Sequence, residues 1–184
     1  MSMNPPENEL PADWAELIGY SATLRSRLAE VDPQLSPMTM PRLAASEEQL
    51  AKAEQRLGTQ LDAQHRALLR HGNGWPLFFT YTDLLSTDEL GAGPLWDKAQ
   101  ELLDLFFSEA PTPADFPARE TLLPVAAGED VTDVFALWTT GPQTRHGRPI
   151  LWLAGEEVDR WPNMREWLLS INQYLNNDLA KLAR

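Results

Sequence analysis

Apolar residues recur at helical spacing near both ends of this chain and form short dense runs between them. Trp14, Leu17, Ile18, Leu24 and Leu28 fall on one face of a helix over 12–31, with a break expected around Gly19. Pro33, Pro37 and Pro41 follow closely, so the helix cannot continue and an extended connector is expected. Residues 1–42 therefore read as an N-terminal helical extension with a proline-rich connector, ahead of a main body over 43–184.

The main body opens with Leu43, Leu50, Ala53 and Leu57 at helical spacing, Ser46 and Gln49 as a capping-box pair, and Gly58 as a stop. Asp62 can cap a second short helix carrying Leu61, Leu68 and Leu69, which ends by Gly72. "WPLFFTYTDL" then predicts a strand from about Leu77, and Pro76 confines its beginning to a sheet edge or to its first residue. Behind Pro94, the residues Leu95, Ala99, Leu102, Leu103 and Phe106 define a helix whose other face carries Asp97, Glu101 and Asp104. "SEAPTPADFPARE" is a loop leading to "LLPVAA"; "DVFALWTTG" and "RPILWLA" are strands joined by "GPQTRHG", an antiparallel meander. A last helix spans Asn163 to Leu182 with Met164, Trp167, Leu168, Ile171, Tyr174, Leu175, Leu179 and Leu182 following the 3.6 period, capped by Asn163 with Glu166. The class expected is α+β, with a mainly antiparallel sheet flanked by helices and a helical N-terminal extension.

Composition changes this picture little. A chain of 184 residues, 43% hydrophobic and 23% charged, suits one soluble domain with a substantial core. Charge changes it more. The net charge is -12, and residues 83–133 hold 12 acidic against 2 basic residues. Such a field repels nucleic acid and anionic lipid and speeds association with basic partners, although solubility alone would also account for it. Neither direct nucleic-acid binding nor membrane binding is expected. The chain has no cysteine, which removes disulfides, thiolate nucleophiles and Cys-ligated zinc and suits a reducing compartment. "MSMNPPENELPADW" lacks a basic stretch followed by an apolar one, and "ILWLA" is far too short to span a bilayer, so a cytoplasmic location is expected.

Candidate chemistry is sparse. The stretch "RLGTQLDAQHRALLRHGNGWPLFF" holds two of the three histidines, but His65 and His71 are six apart and face different sides of a helix, so they cannot share an ion. They read as passengers on a helix that ends at Gly72, Asn73 and Gly74, where the bend needs permissive residues. The third, His146, stands apart from them. There is no HExxH, no nucleophile elbow and no phosphate-binding glycine loop, and the pairs Glu129 with Asp130 and Glu156 with Glu157 read as turn charges. No catalytic residue, metal site or cofactor is expected. Seven tryptophans remain: Trp138, Trp152 and Trp167 fit the core, while Trp75 and Trp161 precede prolines at element boundaries and could close the core's rim or anchor a partner.

Taken together, "ASEEQLAKAEQRLGTQLDAQHRALLRHGNGW" resembles the opening of the SUKH superfamily, which includes fungal cell-wall assembly regulators and bacterial immunity proteins of polymorphic toxin systems. Glu54 precedes Leu57 and Gly58, Leu61 stands at the leucine of an expected Leu-Pro, and Asn73-Gly74 falls on the bend. Asp62 replaces the usual proline and Trp75 the second glycine. "LLPVAAGEDVTDVFALWTT" looks like the family's first sheet strands and "RPILWLAGEEVDRWPNMREWLLSI" like its final strand and helix, so the resemblance covers about residues 43 to 175. It implies a non-enzymatic protein-binding module, an immunity protein whose partner is a basic toxin domain such as a nuclease, or alternatively a cytoplasmic scaffold or regulator without a toxin partner. Candidate partner contacts are the acids of expected loops, Asp83, Asp88, Glu89, Glu129, Asp130, Asp133, Glu156, Glu157 and Asp159, with Trp75 or Trp161 as anchors.

Overall fold

A computed structural model describes residues 14–182. Six strands, β1 (Trp75–Phe79), β2 (Thr82–Leu84), β3 (Leu122–Ala127), β4 (Val134–Trp138), β5 (Ile150–Leu153) and β6 (Glu157–Trp161), form one antiparallel sheet in sequence order. Five helices surround it: α1 (Trp14–Val31), α2 (Glu47–Leu57), α3 (Ala63–Leu69), α4 (Pro94–Glu109) and α5 (Met164–Leu182). The α+β class and the meander expected from the sequence are both observed.

The sheet is covered on both faces. Along β4, Phe135 and Leu137 join a cluster with Leu17, Leu24 and Leu28 of α1 and Trp167, Leu168, Ile171 and Leu175 of α5. The intervening Val134 and Ala136 join a second cluster with Leu50 of α2 and Leu95, Leu102, Leu103 and Phe106 of α4. Alternate side chains of one strand thus serve two cores, which is why "VFALW" is apolar throughout and does not alternate.

The local signals explain most element ends. The Ser46 side chain accepts from Gln49 N at 3.2 Å while the Gln49 side chain accepts from Ser46 N at 2.9 Å, and Gly58 closes α2 at φ 69°. Asp62 caps α3, Pro94 opens α4, and the Asn163 side chain accepts from Glu166 N at 2.9 Å to start α5. Gly74 sits at φ +84°, where an added Cβ would lie 2.8 Å from Leu84 O and 2.9 Å from Ser86 Cβ. The bend therefore needs its glycine twice over.

Four sequence expectations are corrected. α1 runs unbroken through Gly19, and residues 12 and 13 lie outside the described residues. Leu43 precedes α2 and is exposed, because Ser46 starts the helix after it. The run around Phe79 is a hairpin and not one strand: Thr80 and Tyr81 take φ of 47° and 61°, the paired positive values of a two-residue turn that matches strand twist. Nothing in Thr-Tyr signals that turn. Finally β6 is an additional strand, whose exposed edge carries "EVDRW" with little apolar signal.

The N-terminal helix packs against α5. Its Ser21 Oγ donates to Asn172 Oδ1 of α5 at 2.5 Å, Ile18 and Leu168 line one small cavity, and Leu28 and Leu175 line another. α1 and α5 therefore run side by side in the same direction.

Candidate functional site

Strand pairing decides which candidate residues meet. Asp83 pairs with Ala127, Ala127 with Val134, Val134 with Leu153, and Leu153 with Glu157. The β1–β2 turn, the loop 128–133 and the turn 154–156 consequently share one end of the sheet. That end carries Glu129, Asp130, Asp133, Glu156, Glu157 and Asp159, with Asp83 beside it. Asp88 and Glu89 lie elsewhere, in the segment that leaves β2 toward α2 and α4.

These acids do different work. The Asp83 carboxylate accepts from Leu77 N at 2.7 Å; Leu77 sits at φ 49° where the β1–β2 register shifts, so Asp83 satisfies an amide that the irregular ladder releases. Asp133 accepts from Trp152 Nε1 at 2.7 Å. Glu157 pairs with Arg160 at 2.6 Å, and Glu89 accepts from Ser86 N at 2.8 Å and pairs with Arg42 at 3.2 Å. Glu129, Asp130 and Glu156 are exposed at the sheet end, as Asp88 is in its own segment. Asp159 is half-buried and accepts from Arg160 N at 2.8 Å.

Both tryptophans proposed as anchors are core residues, which corrects that reading. Trp75 is 2% exposed, its ring 5.6 Å from Phe78, and its Nε1 donates to Thr39 Oγ1 at 3.1 Å. Trp161 is 7% exposed and stacks on Phe135. Of the two readings weighed from the sequence, closing the core holds for both. The passenger reading of the histidines needs a similar correction. His71 is exposed with Nδ1 2.8 Å from Ala67 O, but His65 is 1% exposed, its Nδ1 has no hydrogen-bond partner, and burial pushes its pKa down to about 4.

The sequence did not point to an apolar pocket of about 370 Å³ beside the acidic end. Leu28, Leu35, Pro37, Leu77, Phe79, Tyr81, Leu175 and Leu182 supply its apolar wall, and Leu35 and Tyr81 stand exposed at its mouth. Arg25, buried and with its pKa lowered by that burial, holds the connector in place: Nη2 donates to Pro37 O at 3.0 Å and to Thr39 Oγ1 at 3.3 Å. Asp178, paired with Lys181 at 3.2 Å, completes the lining. No sequence period links these residues, because four separate segments contribute them.

A second, wider groove of about 860 Å³ runs between the α2–α3 link, α4 and β3. Two of its charged groups are engaged in structure: Asp62 caps α3, and Arg119 pairs with Asp104 at 2.7 Å and donates to Gln100 Oε1 at 2.6 Å. The strongest carboxylate perturbation also has a structural cause. Hydrogen bonds from Arg70 and Arg66 hold Glu47 down at about 2, in a network with Glu54 that ties α2 to α3. The Glu54 of the family-like motif accepts from Leu61 N at 3.1 Å and pairs with Arg66 at 3.0 Å, so it fixes the link where Asp62 stands in place of proline. Among the described residues, no group of three or more His, Asp or Glu side chains could hold a metal ion, and no helix is long and apolar enough to cross a membrane.

No curated protein matches the chain. The sequence profile of the SMI1 / KNR4 family (SUKH-1) matches residues 44–170, from just ahead of the Ser46 cap through β6 into α5. The match spans more than half of the chain and contains the hairpin, the meander and both capped helices at its opening, and the chain belongs to the SMI1 / KNR4 (SUKH-1) family.

Proposed function

We propose that this protein is a non-enzymatic, cytoplasmic binding module of the immunity type, which neutralises a basic bacterial toxin domain by covering its working surface. The observation that carries the reading is the convergence of Glu129, Asp130, Glu156, Glu157 and Asp159 on one end of the sheet. Because α1 and α5 run in the same direction, both of their C-terminal ends lie there as well, and the negative poles of two helix dipoles add to the carboxylates. A cationic surface that binds nucleic acid is attracted to such an end. Family membership supports a recognition role, since the resemblance described above links the superfamily to toxin immunity.

The test searches the neighbouring reading frames for a toxin domain and pairs the protein with the one found there; neighbours that encode none would count against the reading. Co-production is expected to restore growth of cells making that toxin. The double variant Glu129→Lys with Asp130→Lys is expected to lose protection while keeping the far-ultraviolet circular dichroism of the parent. Undiminished killing in the presence of the parent protein would sink the reading. A growth or envelope defect on deleting the gene in cells that lack the toxin would favour a scaffold or regulator instead.

A further inference from the structure

The pocket between the α1 C-terminus, the connector, the β1–β2 turn and the α5 C-terminus has a mostly apolar wall that also carries Arg25, Asp178 and Lys181. Its mouth is formed by Leu35, 66% exposed, and Tyr81, 54% exposed, whose hydroxyl donates to Leu35 O at 3.4 Å. Leu182 is exposed at the other side. Exposed apolar side chains gathered around a concavity are what a hot-spot pocket requires, an apolar centre ready to lose its water. The acids lie next to it. Gly128 abuts the Tyr81 carbonyl so closely that an added Cβ would lie 2.5 Å from its oxygen, and Glu129 and Asp130 follow directly in the chain. Asp178 stands on the opposite wall, with Lys181 as its partner. The buried cation of the wall, Arg25, donates from Nη2 to the connector, while its buried Nε has no hydrogen-bond partner.

We propose that this pocket receives one apolar or aromatic side chain of a protein partner, carried between Lys or Arg residues whose charges reach Glu129, Asp130 and the nearby helix ends. The apolar wall selects the anchor, and the carboxylates select what flanks it. The inference rests on the reading of the acidic end as a contact surface for a basic partner. It adds where the central anchor goes.

Three synthetic peptides test it by titration against the whole protein with amide chemical shifts as the readout: acetyl-Lys-Arg-Trp-Arg-Lys-amide, the same peptide with Ala for Trp, and acetyl-Glu-Glu-Trp-Glu-Glu-amide. The first is expected to shift the amides of Leu35, Tyr81 and Leu182 saturably at about millimolar concentration, a free energy of about 4 kcal/mol. The other two are expected to bind at least about tenfold more weakly. Ser36→Trp, which fills the cavity, and Leu35→Ser, at an exposed position where folding is undisturbed, are each expected to abolish saturation. Glu129→Lys with Asp130→Lys is expected to weaken it severalfold. If both pocket variants bind as the parent does while the charge variant does not, the pocket falls and the acidic contact surface stands. If the charge variant binds as the parent does, the basic-partner reading falls. Equal binding of the acidic peptide, no saturable shift with any peptide, or shifts that depend on protein concentration alone, which would mean a second copy closes the pocket, would each overturn the proposal.

Discussion

His65 shows how one side chain makes stability depend on pH. It is buried in the neutral form, with a folded pKa of about 4 against an ordinary 6.5. Between those values the unfolded chain binds a proton that the folded chain refuses, so stability falls as pH drops from about 6.5 to about 4 and levels off below. The full shift corresponds to about 3 kcal/mol. His65→Leu removes the titrating group from both states. Urea unfolding measured from pH 7 to pH 4 is expected to show a flatter acid limb in this variant than in the parent; parallel curves would rule His65 out as the cause.

At the scale of elements, α1 is the clearest case of a segment whose role its own sequence does not reveal. Its apolar face is legible, but the partner for that face is α5, and sequence period says nothing about which helix will cover which. Leu24 is 1% exposed in the α1–α5 layer. Leu24→Ala is expected to lower the unfolding free energy by about 2–5 kcal/mol, the cost of a buried leucine, whereas a loosely attached helix would give a change within about 0.5 kcal/mol. Denaturant midpoints at fixed m-value distinguish the two. The elements whose ends are legible in the sequence share a property: Ser46 with Gln49, Asp62 and Asn163 each specify an end through bonds to residues two or three positions away, and Pro94 does so through its fixed φ at the first helical position. Local chemistry of that kind is written in the order of residues. The β1–β2 turn at Thr80 and Tyr81, with no glycine or asparagine, is imposed by pairing with β3 and by Asp83 satisfying Leu77 N. β6 is likewise a strand because β5 offers it a ladder, since four of its five residues lie outside the core. The acidic residues could be counted from the sequence, but their gathering depends on register. Trp75 and Trp161 show the limit most plainly, because a tryptophan beside a proline looks the same whether its ring faces solvent or Phe78 and Phe135.

For the whole molecule, electrostatics and topology point in one direction. With a net charge of -12 and the exposed carboxylates of Glu129, Asp130, Glu156 and Glu157 at one sheet end, the protein is expected to meet a basic partner at a rate that falls by about tenfold or more when salt rises from about 0.05 to 0.5 M, while dissociation changes much less. Stopped-flow association at several ionic strengths measures this, and a salt-independent rate would remove steering from the account. The shared direction of α1 and α5 has a practical corollary. Each helix is 18 or 19 residues long, roughly 27 Å, so Trp14 and Leu182 lie at opposite limits of the same layer. A label on the first turn of α1 sits on the side remote from Tyr81, whereas one on Leu182 sits at the cavity and competes with whatever enters it.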